Sequence, residues 1–354
     1  MSRFLLKHWF LVALATEIVV GLTLGAKLSP DARDGVLSLL SDSIKTGIVV
    51  VVLFLMSVTL NGERLKTALV APAPVLWAVF INIILLPLIA WPIARLQLIE
   101  DFTVGLLIAV TVPCTMATAS VWTRRAGGND AISLLVTVIT NGFCFVYTPF
   151  WLRWLTSSNV QLNAAEMARN LAVVALLPIA AGQLLRYSRR CAEVADRWKS
   201  WLSNAAQIGV LVMIGGSALN AGGQLVGQTS TPSTSAIALV WGSCIALHLG
   251  ALGIALWSSR FFQFAPDDCS AIAISASQKT LPIGMLIATS PVMYGHLEFA
   301  VFPMLMFHAS QLFLDTPIAD AFRRQHEARR QLQEDPIKEP PTDTTGSVDP
   351  EAPY

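Results

Sequence analysis

Ten apolar runs set the terms on which this chain can fold. They cover residues 9–26, 44–60, 68–94, 102–123, 131–155, 171–185, 204–220, 236–258, 269–289 and 297–315, the second, sixth and seventh being short. A helix needs about 20 mostly apolar residues to cross a bilayer. Hydrocarbon supplies no hydrogen bonds, so a crossing segment must satisfy its own backbone, as a helix does. The expectation is an all-α polytopic membrane protein with ten transmembrane helices. Composition agrees, with 54% of residues hydrophobic, 13% charged and a mean hydropathy of +0.59. A net charge of +1 leaves no electrostatic footprint for nucleic acid. The five cysteines are scattered, without metal-site spacing or a disulfide framework. No small-residue cleavage site follows the first run, so it is expected to remain as a span.

The basic residues orient the runs. With both termini in the cytoplasm, most of the 24 Lys and Arg fall on the cytoplasmic side. Lys27, Arg33, Lys45, Arg95, Arg153 and Arg169 fall outside, as the positive-inside rule allows. The expected location is the plasma (inner) membrane, multi-pass. Lys279 alone lies within a span. Residues 321–354, rich in charge, Pro and Thr, are expected to form a disordered cytoplasmic tail.

Runs three to five recur as runs eight to ten at an offset of roughly 165 residues in hydropathy. A repeat unit of five spans must be inverted, because its second copy starts on the opposite face. The fourth run of each copy is interrupted. In the first copy the break covers residues 111–120, with Pro113 inside it. In the second it covers 275–284, where Gln278, Lys279, Thr280, Pro282 and Gly284 stand together. A charge at membrane depth costs at least a few kcal/mol unless it faces a partner or water. Paired interruptions at corresponding places point to a transporter's binding site, because broken helices leave N–H groups and carbonyls free near mid-membrane.

Further pieces carry a resemblance. They are residues 54–69 (FLMSVTLNGERLKTAL), Phe80-Ile81-Asn82-Ile83 with Leu86-Pro87, and Gly127-Gly128-Asn129-Asp130. Residues 178–186 (PIAAGQLLR), Gln278-Lys279-Thr280-Leu281 and His308-Ala309-Ser310-Gln311 complete them. In this order and spacing the chain resembles the bile acid:sodium symporter family, most closely its type 7 branch with bacterial relatives, over about residues 8–320. The resemblance implies two inverted five-helix repeats with interrupted helices 4 and 9 crossing. It implies a core (68–158 and 235–319) and a panel (8–60 and 168–221). The implied activity is alternating-access transport of a small organic anion, coupled to sodium, by a protein that is not an enzyme.

The family's sodium ligands transfer in part. Ser133 and Thr137 match a hydroxyl pair on span 5, and their i,i+4 spacing puts both on one helix face. Ala119-Ser120 stands where the family has Ser-Asn, Asn82 replaces a glutamine, and Gln278 is retained. Sodium would thus fall to Ser120, Ser133, Thr137 and Gln278. The family's carboxylate, one turn before that glutamine, is Ile274 here. Lys279 offers a physical replacement, because its ammonium carries sodium's charge and three donors. It would serve as a fixed counter-charge for the anion, placed among Ser120, Ser133, Thr137 and crossing-helix carbonyls, or as a proton carrier. Thr115, Thr280, His308 and Gln311 complete the candidate site. Proton-coupled or ion-independent transport, and a non-transporting membrane regulator of the same fold, remain open. His248 is expected to be a lone satisfied histidine, Asp315 to reach the cytoplasmic interface, Glu17 to make a polar contact or lie at an interface, and Trp9, Trp77, Trp91, Trp151 and Trp154 to anchor at interfaces. No Walker loop, dinucleotide fingerprint or metal cluster is visible, so no cofactor beyond sodium is expected. The expected partners are the organic anion and the lipid bilayer; oligomeric state is not legible.

Overall fold

The computed structural model describes residues 9–60, 72–116, 118–156, 163–227, 232–290, 297 and 299–334. Among these residues the regular structure is entirely helical. The chain order is α1 (Trp9–Lys27), α2 (Pro30–Ser38), α3 (Asp42–Val58), α4 (Pro72–Ala94), α5 (Glu100–Thr111), α6 (Ala119–Arg125) and α7 (Asp130–Leu155). Then come α8 (Ala164–Leu185), α9 (Arg189–Arg197), α10 (Lys199–Gly227), α11 (Thr234–Phe261), α12 (Pro266–Ser277), α13 (Leu281–Ala288) and α14 (Val301–Glu334). Among the described residues, six stretches are long and apolar enough to cross a membrane: α4, α7, α8, α10, α11 and α12 with α13. The pair α2 and α3, bent by 46°, makes a seventh. This is the build of a polytopic membrane protein. Each apolar run falls largely on helix where it is described, the fourth and ninth on two helices each.

Local chemistry starts the helices where they start. Asn129, Asn163 and Ser233 accept from the backbone N–H groups of Ala131, Glu166 and Ala236, capping α7, α8 and α11. α1 packs along α10, which also packs against α3, and α3 in turn carries α8. The approach of α1 to α10 rests on Gly21 facing Ala218, Gly25 facing Leu219 and Gly223, and Gly222 facing Leu22. A Cβ on Gly25 would strike the Leu219 carbonyl, and one on Gly222 the Leu22 carbonyl. Small residues four apart let two backbones meet where lipid gives helices no hydrophobic reason to associate. Helices α4, α6, α7, α11 and α14 pack around α12, whose residues from Cys269 to Ser277 are all buried.

Two breaks interrupt this packing. α5 stops at Thr111 because Pro113 follows, and Val112 is extended (φ −70°, ψ 159°) as a residue before proline must be. α12 stops at Ser277, with Gln278 and Thr280 extended, and Pro282 opens α13 in its first turn.

The other end of the chain departs from expectation. α14 continues to Glu334, so part of the segment expected to be a disordered tail is helix. Phe322 is buried, Arg125 grips Asp320 with two 2.7 Å bonds, and Arg323 pairs with Glu327 one turn on. Residues 335–354 of that tail lie outside the described residues, as do 61–69 of the motif that begins at Phe54.

Candidate functional site

The two breaks meet. Thr280 N–H donates to Pro113 O at 2.9 Å, and Lys279 Nζ donates to Val112 O at 2.9 Å. Proline and extended backbone free carbonyls that hydrocarbon cannot satisfy. Here each finds a donor. In the first break Thr111 O takes Thr148 Oγ1 (2.8 Å), Cys114 O takes Asn141 Nδ2 (2.8 Å), and Thr115 O takes Thr137 Oγ1 (3.2 Å). In the second, Asn82 Nδ2 lies within 3.1–3.2 Å of Ser275 O, Ala276 O and Gln278 O. Lys279 O takes Gln311 Nε2 (2.9 Å), whose Oε1 accepts Lys279 N–H. His308 Nδ1 lies 2.9 Å from that amide nitrogen and 3.4 Å from Lys279 O.

Lys279 is fully buried, and its ammonium has an oxygen for each of three donors: Asn82 O (2.7 Å), Asn82 Oδ1 (3.0 Å) and Val112 O (2.9 Å). One of these oxygens exists because α4 is locally wound as a π-helix over Ile81–Leu85. Leu86 N–H reaches back to Ile81 O rather than to Asn82 O, which is left for Lys279. Pro87 has no N–H to give Ile83 O, and the indole of Trp151 takes that carbonyl at 2.6 Å. Trp151, expected to anchor at an interface, is buried and holds this carbonyl.

The hydroxyls expected around Lys279 hold other partners. Ser133 Oγ sits 2.6 Å from Thr123 Oγ1 and 3.4 Å from Ala271 O, and Thr137 bonds to Thr115 O. Ser120 lines a separate cavity beside Arg124 and Asp130. The structure thus brings together Asn82, Lys279, His308 and Gln311, with Gln278 and Thr115 alongside. It leaves Ser120 and Ser133 outside that group. The Thr280 hydroxyl is buried with no partner among the described residues.

Asp315 corrects the sequence reading. It is fully buried instead of reaching the interface, because His248 and Gln278 supply donors to both its oxygens. His248 Nε2 lies 2.9 Å from Oδ1, and Gln278 Nε2 donates to Oδ2 at 2.5 Å. His248 is accordingly not alone. Its Nδ1 is 3.3 Å from Ser277 O, and the 2.9 Å contact between Nε2 and Asp315 Oδ1 holds a proton between the two side chains. Gln278 Oε1 in turn accepts from Thr118 (3.2 Å), which is half-buried. Asp315 on α14 thus sets a carboxylate against Gln278, where Ile274 has none. Nothing in the linear sequence joins Asp315 to His248; only the fold does.

Three cavities lie in a row along α10. The first, about 150 Å³, is lined by Lys199, Ser203 and Ala206 of α10 and by Ser120, Arg124 and Asp130. The second, about 20 Å³, holds about one water and is lined by Gln207 and Val210 with Thr115, Thr118, Pro282 and His308. The third, about 350 Å³, is lined by Gly216, Ser217 and Asn220 with Thr289 and Val301.

A polytopic helical chain with two broken helices crossing at a buried cation has the build of a membrane transporter. Residues 8–324 match the SBF-like CPA transporter family, and the chain belongs to it. It is 25% identical over 282 residues to the Arabidopsis thaliana protein named "Probable sodium/metabolite cotransporter BASS4, chloroplastic", covering 75% of this chain and 64% of that protein. It is 23% identical over 323 residues to sodium/bile acid cotransporter 7 of Danio rerio, covering 90% of this chain and 94% of the relative. A 130-residue match at 29% identity links it to the uncharacterized protein YbaS of Bacillus subtilis, over 36% of this chain and 42% of that one. The first two relatives are named as cotransporters, and the family is one of transporters and not of enzymes.

Proposed function

We propose that the chain is a secondary transporter of a small organic anion. Ten helices cross the membrane in two inverted repeats of five, with both termini cytoplasmic in the inner (plasma) membrane. A core of 68–158 and 235–319 moves against a panel of 8–60 and 168–221. The observation that carries this is the Lys279 ammonium, held at the crossing of the two breaks while three cavities follow the seam on α10. The smallest, central cavity is the meeting place for the anion. Thr118, His308 and Gln207 offer it polar groups, and Gln207 Oε1 is buried without a partner among the described residues. Lys279 sets a positive field behind them. Access alternates as the wider cavities open in turn.

Sodium is the coupling ion named for two of the relatives. The oxygens of Ser133, Thr137 and Gln278 are engaged elsewhere, which favours a second reading. In it Lys279 replaces one sodium ion permanently, and the proton shared by His248 and Asp315 is the coupling ion. Gln278 and Thr118 join that pair to the central cavity, so an anion that draws off the Thr118 hydroxyl disturbs the proton's partner. Uptake into proteoliposomes separates these readings, with a radiolabelled bile salt and small carboxylates tested under an imposed sodium or pH gradient. Accumulation under one gradient alone names the ion. Absence of flux for every anion under both gradients overturns the transport reading.

A further inference from the structure

Away from the cavities on α10, a cleft of about 170 Å³ opens where α11 ends and α12 begins, against the later turns of α14. Three helix faces converge on it. α14 gives Phe322, Gln325, His326 and Arg329, at the spacing of one helical face. α12 gives Pro266, Cys269 and Ser270, and α11 gives Leu256 and Arg260. The floor is apolar and the charged groups are basic; among the described residues no acidic side chain lines the cleft. Nearby acids are turned away. Asp268 accepts from Asn129, and Glu327 pairs with Arg323. Neither Arg260 nor Arg329 has an ion-pair partner among the described residues, although two arginines sharing an apolar cleft repel each other. Ser270 donates to Pro266 O, so it accepts from His326 Nε2 (2.9 Å), which fixes that imidazole at the wall.

A second observation places the cleft at a particular depth. Trp257, Phe261 and Phe262 are exposed beside Arg260, at 70%, 70% and 49%. Trp257 stacks on Phe261, Phe261 meets Phe262 edge-on, and Phe262 packs on Trp77 and Phe264. Exposed aromatic collars of this kind sit at headgroup level, where one end of the ring is apolar and the other wet. The collar therefore holds Arg260 and Arg329 level with the phosphates of one leaflet, with apolar floor below them.

We propose that this cleft binds the headgroup of an anionic phospholipid, its phosphate on Arg260 and Arg329 and its acyl chains along the exposed collar of α11. Arginine suits the task because its planar fork takes phosphate oxygens in pairs and is weakly hydrated. Under the proposed orientation the leaflet is the cytoplasmic one, where basic pockets between helices take acidic headgroups. The occupant clamps α14 against α11 and α12, the helices that carry Asp315, His248 and the break at Gln278. The lipid is thus a structural ligand of the core, independent of the transported solute.

The test uses the full chain in delipidated detergent solution. Its melting temperature is read on adding mixed micelles of phosphatidylglycerol or cardiolipin, phosphatidylcholine micelles, or inorganic phosphate. The expected result is stabilisation by the anionic lipids alone, weakened at least tenfold in apparent affinity by Arg260→Gln with Arg329→Gln. Arg189→Gln, which removes a charge 94% exposed and paired with Glu193, should keep the full effect. Equal stabilisation by phosphatidylcholine, or an anionic-lipid effect unchanged in the double variant, would overturn the proposal. So would inorganic phosphate matching the lipids, which would make the cleft a site for a soluble anion. If the double variant does not fold, native mass spectrometry of the unsubstituted protein decides the matter: anionic lipid should be retained in preference to neutral lipid. The reverse preference would count against the site. Neither measurement depends on the transported solute, so failure here leaves the transport reading standing, and the reverse.

Discussion

At the scale of residues, Lys279 is the most constrained group in the chain. Its three oxygens would be buried and unpaired without it, and an unmade hydrogen bond to a buried group costs about 1–3 kcal/mol. Lys279→Ala should therefore destabilise the protein by roughly 3 kcal/mol even before any solute is added, seen as a fall in melting temperature. A melting temperature unchanged by the substitution would mean that the cage is not formed. Asp315→Asn probes a different function. The amide keeps the shape of the acid and can bond to neutral imidazole, but it cannot share a proton with His248. Under the proton reading its uptake should cease to respond to a pH gradient, while under the sodium reading the response to sodium should persist. Lys279 was legible in the sequence because one cation in a long apolar run has no bland explanation. Asp315 was not, because it ends an apolar run near basic residues, where an interfacial carboxylate is expected. The partners that hold it inside come from helices far away in the chain.

At the scale of elements, the breaks at Pro113 and Pro282 could be read from the chain, since proline both ends a helix and frees carbonyls. The π-wound segment of α4 could not. Pro87 announced a disturbance, but whether a helix kinks or takes in an extra residue per turn depends on who receives the released carbonyls. Here Trp151 takes Ile83 O and Lys279 takes Asn82 O. Trp151→Phe should keep the ring packing and strand the Ile83 carbonyl, at a cost of about 1–2 kcal/mol by thermal melting. Wild-type stability in that variant would show that the indole bond contributes nothing. The extension of α14 to Glu334 escaped for a related reason. The segment is polar enough to look unfolded, yet Arg125 anchors it at Asp320 and Phe322 is buried.

At the scale of the whole molecule, the two groups of helices in the proposed transporter would face each other across the cavities on α10, whose lining mixes charged, polar and apolar side chains, and no sequence pattern marks such a row because its residues come from helices far apart in the chain. The row of cavities on α10 shows where relative movement would matter. Ser120 and Ser203 line the first cavity from α6 and α10, and Ser217 lines the third. Cys114, Cys144, Cys244 and Cys269 are buried, so a background with Cys191→Ser should react little with impermeant thiol reagents. In that background, bridging Ser120→Cys to Ser203→Cys with a short bifunctional reagent pins the two groups together at the basic mouth. If access alternates, flux should fall to the level of empty vesicles, and a third cysteine at position 217 should stay reactive from the opposite side. A rigid pore would still conduct after bridging, because its walls need not move. Restoration of flux on cleaving a reducible bridge distinguishes a stopped motion from a damaged protein. Persistent flux through the bridged protein would show that transport does not require the two groups to separate at this mouth.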